Sequence, residues 1–312
     1  MCNYVTNFVD ICIIIRSMNR ININKYTSLE ILEQLKSPEL ANVVEFEFEL
    51  SENRFEKMGI KSFVDLAQIY FFKIKTISQE SDNTIIGFKR LNQQSSFHKE
   101  LPSNEKYGTQ SDFFDIDKLS QFSFLHYYIE ALNFVNLSNK QSVLNIGVNK
   151  GDEFSAIKDL LLKDTFKSKY FKGIDYSKSA IDYAKEHFKE DSNVDFKCGD
   201  INKLEEMDLQ KFDLLISIGT LQSSNINFNA KFMELYQNHL NKNGAIILGF
   251  PNCRWIDGEM VYGAKAPNYP FNEMSLVLKD IHFCKKYLQQ KGYRVVITGK
   301  DYLFLSARKI HI

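Results

Sequence analysis

The 312-residue sequence has no excess of charge of either sign, since Lys plus Arg and Asp plus Glu number 39 each. Without a net charge no global field draws the chain to nucleic acid or to an anionic membrane, which leaves local basic patches as the only contacts of that kind. A cysteine framework is also missing. Cys2, Cys12, Cys198, Cys253 and Cys284 are scattered, show no C-x-x-C spacing and are odd in number, which argues against a fully paired secreted scaffold and for a reducing cytoplasm. There is no long apolar run either. Phe8 to Ile15 is broken by Asp10 and is far shorter than the roughly 20 residues that span a bilayer, so no membrane partner is expected. No basic region precedes it and no small-residue cleavage site follows. It reads as a core element, or as an extension upstream of a start at Met18 rather than Met1.

What is present lies mostly in the second half. Ser142 to Gly151 (SVLNIGVNKG) is an apolar run ending in a glycine-bearing turn before a helical segment, a pattern that lets backbone approach a ligand beside free helix N–H groups. Four further strand-like runs follow: Phe171 to Ser177, Val194 to Asp200, Phe212 to Gly219 and Gly244 to Pro251, each set off by a helical or loop segment. Their alternation predicts an α/β fold, a doubly wound and mostly parallel sheet whose ligands sit at the carboxyl ends of the strands. Tyr293 to Thr298 and Tyr302 to Ala307, separated by Gly299, Lys300 and Asp301, predict a C-terminal hairpin. A dinucleotide oxidoreductase also uses a glycine loop and an acidic second strand end. The spacing from Gly147 to Gly151, however, lacks G-x-G-x-x-G.

From roughly Tyr107 to the C-terminus, this order and spacing resembles the class I S-adenosylmethionine-dependent methyltransferases. The resemblance implies a seven-stranded sheet closed by that hairpin, one strand antiparallel, and S-adenosyl-L-methionine as cofactor. Residues 143 to 151 look like the family's first motif, with Gly147 and Gly151 in place, Asn145 at the acidic position and Asn149 at the middle glycine. Asn149 is expected to take the left-handed conformation that Asn tolerates, and Asn149→Gly to preserve or improve cofactor affinity. The resemblance gives Asp175 the ribose hydroxyls and Asp200 the adenine amino group, with Ile201 against the ring. Tyr176 and Ser217 complete the expected cofactor set. Asp175 otherwise reads as a surface residue or helix cap, and Asp200 as the N-cap of a helix through Leu204.

Tyr107 and its neighbours are implied to form a flap over the cofactor. The acceptor is expected above the fourth and fifth strand ends, at Gln222 and at Asn252, Arg254, Trp255 and Tyr262 in one long loop. Arg254 suits a carboxylate or phosphate, and Trp255, the sole tryptophan, suits a ring; a loop folded back on the protein is the other reading. The D/N-P-P-Y/F motif is missing from the fourth strand, as is a Pro-Cys pair, so a cysteine nucleophile is unsupported. Catalytic candidates are His98 and Gln222. No metal ligand set is predicted.

Residues 1–104 read as a smaller α+β N-terminal module and 105–312 as the cofactor-binding domain. Thr27 with Glu30 predicts a capping box before a helix through Leu35 that stops near Pro38. Val44 to Leu50 alternates apolar and acidic residues, predicting a half-buried strand. A second helix is predicted to be capped by Ser62, with Phe63, Leu66, Ala67, Tyr70, Phe71 and Ile74 on one face. Gly87 to His98 reads as a loop touching substrate or as a solvated linker, and Phe122 to Val135 as a helix.

These features predict a methyltransferase acting on a small or modest-sized acceptor. Two alternatives stay open. One is an RNA methyltransferase whose module offers Lys73, Lys75, Lys89 and Arg90 to phosphates; the other is a non-catalytic cofactor-binding protein with a decayed first motif.

Overall fold

The computed structural model describes residues 20–94, 105–264 and 272–310, so Phe8 to Ile15, both alternative starts and His98 lie outside the described residues. Two compact units emerge, residues 1–95 with 255–262, and residues 96–254 with 263–312.

The first unit runs β1 (Arg20–Asn22), α1 (Ser28–Leu35), α2 (Pro38–Ala41), β2 (Glu45–Ser51), α3 (Glu52–Tyr70), β3 (Phe72–Glu80) and β4 (Asn83–Arg90), with its sheet in the order β1-β2-β4-β3. The capping box forms: Glu30 N donates to Thr27 Oγ1 at 3.2 Å and Thr27 N to Glu30 Oε2 at 2.6 Å. Alternation along β2 buries Phe46, Phe48 and Leu50, and Phe46 stacks on Phe88 of β4. Val44 falls before the strand and is exposed.

Two expectations for this unit fail. The helical span begins at Glu52, ahead of Ser62, and Gly59, at φ 72° and ψ 152°, divides it into two helices; Ser62 lies just inside the second rather than at its cap, its Oγ donating back to Met58 O at 2.6 Å. Phe71 caps that helix in left-handed conformation and Ile74 belongs to β3. Gly87 to Arg90 is strand rather than loop, since Phe88 pairs with Phe46 and is buried, while Lys89 and Arg90 follow the register.

The second unit continues with α4 (Phe122–Phe134), β5 (Ser142–Ile146), α5 (Asp152–Leu160), α6 (Lys163–Lys167), β6 (Tyr170–Asp175), α7 (Lys178–His187), β7 (Val194–Cys198), β8 (Phe212–Ile218), α8 (Phe228–Glu234) and β9 (Leu240–Pro251). After β10 (Cys253–Ile256) and β11 (Glu259–Tyr262) come α9 (Ser275–Gln290), β12 (Tyr293–Gly299) and β13 (Tyr302–Lys309). The seven-stranded sheet has the order β12-β13-β9-β8-β5-β6-β7. Strands β5 to β9 run parallel, and β13 lies antiparallel between β9 and β12. Both faces are covered, so alternate residues of one strand serve opposite cores: Val143 packs with Phe154 and Phe171, Leu144 with Phe212 and Leu248. The chain steps outward from β5 to β6 and β7, then returns to β8 on the other side of β5. That reversal opens a crevice at the carboxyl ends of β5 and β8, where doubly wound sheets place ligands.

The segment after β9 is a hairpin rather than one long loop. Asp257 and Gly258 both have positive φ, 52° and 77°, the backbone of a two-residue primed turn, and the Asp-Gly pair was its sequence cue.

Candidate active site at the strand ends

Gly147 follows β5 directly, and its N–H and that of Val148 donate to Ile174 O of β6 at 2.8 and 3.1 Å. Its φ is 77°, and a Cβ there would overlap the Thr220 hydroxyl, so the glycine is required both by conformation and by the close approach of the turn after β8. Asn149 is left-handed at φ 46°. Its N–H donates to Asp175 Oδ2 at 2.8 Å, and Ser177 N to Asp175 Oδ1 at 2.9 Å. Asp175 thus fastens the glycine loop to the start of α7. Burial raises its pKa, against the pull of these backbone donors.

Residues 105–118 bind over this loop. Asn149 Nδ2 donates to Tyr107 O at 2.7 Å, and Lys150 Nζ to Phe114 O and Ile116 O at 2.8 Å each. Glu105 caps α7, accepting from Lys178 N at 3.0 Å, Ser179 N at 3.3 Å, Ser177 Oγ at 3.0 Å and also Ser179 Oγ. Burial pushes the Glu105 pKa up, but these bonds more than reverse it and leave it lowered. The Tyr107 phenol is pushed up, by burial and then by the Asp175 charge, which puts the ring within electrostatic reach of that carboxylate.

Beneath the loop lies a buried polar trio. Lys118 Nζ donates to Glu153 Oε1 at 2.6 Å, and Asn145 Nδ2 to Glu153 Oε2 at 3.1 Å. Asn145 and Glu153 are each 1 % exposed. Burial lowers the Lys118 pKa, and Glu153 and Asp152 outweigh it so that the net shift is upward. Asn145 Oδ1 is buried with no hydrogen-bond partner.

The other expected residues separate into groups. Asp200 accepts from Asn202 N at 2.9 Å and caps the short turn of helix from Ile201, so its capping role is present; Ile201 is buried. Tyr176 is exposed, and its carbonyl receives Cys198 Sγ at 3.5 Å. Ser217 Oγ donates to Ile146 O at 3.1 Å, joining β8 to β5 within the core. Gln222 Oε1 and Asn252 Oδ1 are buried acceptors with no partner, while Asn252 Nδ2 donates to Lys300 O at 3.2 Å. Arg254 Nη2 donates to Asn272 Oδ1 at 2.8 Å. Trp255 and Tyr262 belong to the first unit, and the structure therefore does not group them with the strand-end residues. His98 lies outside the described residues. Among the described residues no group of three or more His, Cys, Asp or Glu could hold a metal ion, and no helix is long and apolar enough to cross a membrane.

Sequence reasoning passed over Lys118, Glu153 and Glu105. Glu153 carried a readable cue, as an acidic residue in the first turn of a helix opening at the glycine loop. Lys118 and Glu105 carried none, because their partners are remote in sequence. The residues present fit a sulfonium nucleoside cofactor: a carboxylate ends β6, a glycine allows close approach after β5, and Asn145 offers an unpaired buried acceptor beside that turn.

A methyltransferase-domain family model matches residues 137–296, just over half the chain. No curated protein sequence matches. Among solved structures the chain is similar to the CurJ carbon methyltransferase, at 14 % identity and TM-score 0.43 over 67 % of this chain and 58 % of that one. It is also similar to a SAM-dependent methyltransferase from Aquifex aeolicus, at 16 % identity and TM-score 0.42 over 62 % and 93 %. A third is the plantazolicin methyltransferase BpumL in complex with SAH, at 14 % identity and TM-score 0.47 over 67 % and 94 %. The matched span carries β5 to β9 and the glycine loop between β5 and α5, and the chain belongs to the methyltransferase-domain family, as a class I S-adenosylmethionine-dependent enzyme.

Proposed function

We propose that the enzyme methylates a small or modest-sized acceptor that presents an N–H or O–H group to the ends of β8 and β9. The observation carrying this reading is the pair of buried amide oxygens, Gln222 Oε1 after β8 and Asn252 Oδ1 after β9, neither with a hydrogen-bond partner. A buried acceptor left unpaired is costly, so a donor-bearing ligand gains from meeting it. The two strands are neighbours, with Ile218 opposite Gly249, so both amides follow adjacent ends of one sheet.

The cofactor supplies an electrophilic methyl group on sulfur. The chain's own task is then alignment and exclusion of water. We assign Asp175 to the ribose hydroxyls, Asp200 and Ile201 to the adenine, and the Gly147–Gly151 loop to the remainder of the cofactor. The segment around Tyr107, tied down by Asn149 and Lys150, covers it. Gln222 and Asn252 orient the acceptor, and an amide oxygen holds a donor without removing its proton. That favours an acceptor with a lone pair reactive without a strong base, an amine before an alcohol.

An RNA acceptor draws less support. Lys73 pairs with Glu259 at 3.3 Å and Lys75 with Glu45 at 3.0 Å, while Arg90 donates to Leu40 O and Val43 O and lies over the Phe72 ring. Most of the basic side chains offered for phosphate contact are already committed within their own unit. The test is transfer of labelled methyl to panels of amines, alcohols and carboxylic acids, with RNA alongside. Transfer to the amine panel supports the proposal. Salt-sensitive transfer to RNA and to no small donor would overturn it.

A further inference from the structure

We propose that Glu153 is a positioning residue for the cofactor: it supplies from α5 the carboxylate that β5 lacks at Asn145, and, held by Lys118, it fixes which end of the Asn145 amide meets the ligand. The inference rests on the cofactor assignment and concerns the chain's own device for meeting it. An ionised carboxylate only accepts hydrogen bonds, so Glu153 Oε2 commits Asn145 to point its Nδ2 inward, at 3.1 Å. The amide's other end, Oδ1, is thereby left as an acceptor, buried and without a partner. Lys118 Nζ occupies Glu153 Oε1 at 2.6 Å, so the carboxylate is claimed on both oxygens and cannot turn away. The three residues come from three places, the covering segment, β5 and the first turn of α5, and they meet with Asn145 and Glu153 almost fully buried. A buried acceptor beside the glycine turn fits the one strong donor of the cofactor's amino-acid end, its α-ammonium group. Asn145 alone, free to rotate its amide, would present N–H and O equally. Glu153 removes that ambiguity.

The test separates this role from plain support of the fold. Binding of S-adenosylhomocysteine, which keeps the ammonium, is measured by calorimetry beside binding of 5′-methylthioadenosine, which lacks the amino-acid end. Glu153→Gln can offer either an oxygen or an amide nitrogen to Asn145, so it should weaken S-adenosylhomocysteine by at least about tenfold and leave methylthioadenosine within about twofold. The exchange Asn145→Asp with Glu153→Gln restores one carboxylate and one amide to the pair and should recover most of the lost affinity. Equal weakening of both ligands by Glu153→Gln, or an exchange double variant no better than Glu153→Gln alone, would overturn the proposal. Wild-type protein that binds neither ligand would overturn the cofactor assignment itself, an outcome distinct from both.

Discussion

Asn149 donates its side-chain amide to the carbonyl of Tyr107 at 2.7 Å, so the residue forming the left-handed turn of the glycine loop also anchors the segment that lies over it. From sequence, glycine at this position is expected to relax the turn and to preserve or improve affinity. The structure adds an opposing cost, the loss of one hydrogen bond worth about 0.5–1.5 kcal/mol. Asn149→Gly is therefore expected to raise amide hydrogen exchange around Tyr107 and to weaken cofactor binding by up to about tenfold. Unchanged exchange in residues 105–117 would show that the anchor carries no weight.

Asp175→Ala should weaken S-adenosylmethionine by about 1.5–3 kcal/mol, the range for hydrogen bonds to a charged group. It should also lower the melting temperature, because the N–H groups of Asn149 and Ser177 lose their acceptor. Calorimetry and a thermal melt on the same variant check both effects. A melting loss with full cofactor affinity would confine Asp175 to bracing the loop.

At the proposed acceptor end, Gln222→Leu and Asn252→Leu remove the two buried oxygens. Each should leave cofactor affinity near the wild-type value and raise KM for a donor-bearing acceptor by about tenfold. Steady-state kinetics at saturating cofactor provides the measurement. A fall in cofactor affinity equal to the rise in KM would mean that the amides serve the loop instead.

Arg254→Ala is expected to separate cofactor from acceptor in the same way, with unchanged S-adenosylmethionine binding and slower transfer. Because the guanidinium donates to Asn272 at 2.8 Å, some loss of melting temperature accompanies it. Equal loss of binding, turnover and stability would make Arg254 a structural brace only.

His239, near the start of β9, is buried with Nδ1 unpaired, and burial lowers its pKa below the ordinary imidazole value of 6.5. In the window between that value and the lower folded one, the unfolded chain binds the extra proton. Stability is therefore full above the ordinary imidazole range and declines as pH falls through the window. His239→Gln should flatten this acid limb in melts recorded across the mildly acidic range. An unchanged limb would place the acid sensitivity elsewhere.

Much of the architecture was legible because its causes are local. The central parallel strands, buried on both faces, carry short continuous apolar stretches such as Leu214 to Ile216 and Ala245 to Leu248, and the Thr27–Glu30 cap is a four-residue pattern. Where causes are remote, the reading failed. Nothing near Lys118 announces Glu153, and nothing near Glu105 announces the N-terminus of α7. The start of α3 was lost because Gly59, at φ 72° and ψ 152°, divides it into two helical stretches and only the second carries the apolar face that was read. The β10–β11 hairpin was missed although Asp257–Gly258 spells its turn, since polar and aromatic side chains around it suggested a binding loop.

The contact of Thr220 with Gly147 bears on how this enzyme can evolve. Thr220 follows β8, the strand end at which we propose the acceptor binds, yet its hydroxyl fills the space that a Cβ at Gly147 would need. A larger residue at 220, selected to reshape the acceptor pocket, would press on the loop, so gains in acceptor choice would carry a cost in cofactor binding. Substitutions at the two positions should be non-additive. New acceptor preferences are accordingly reached more freely through Gln222 and Asn252 than through Thr220.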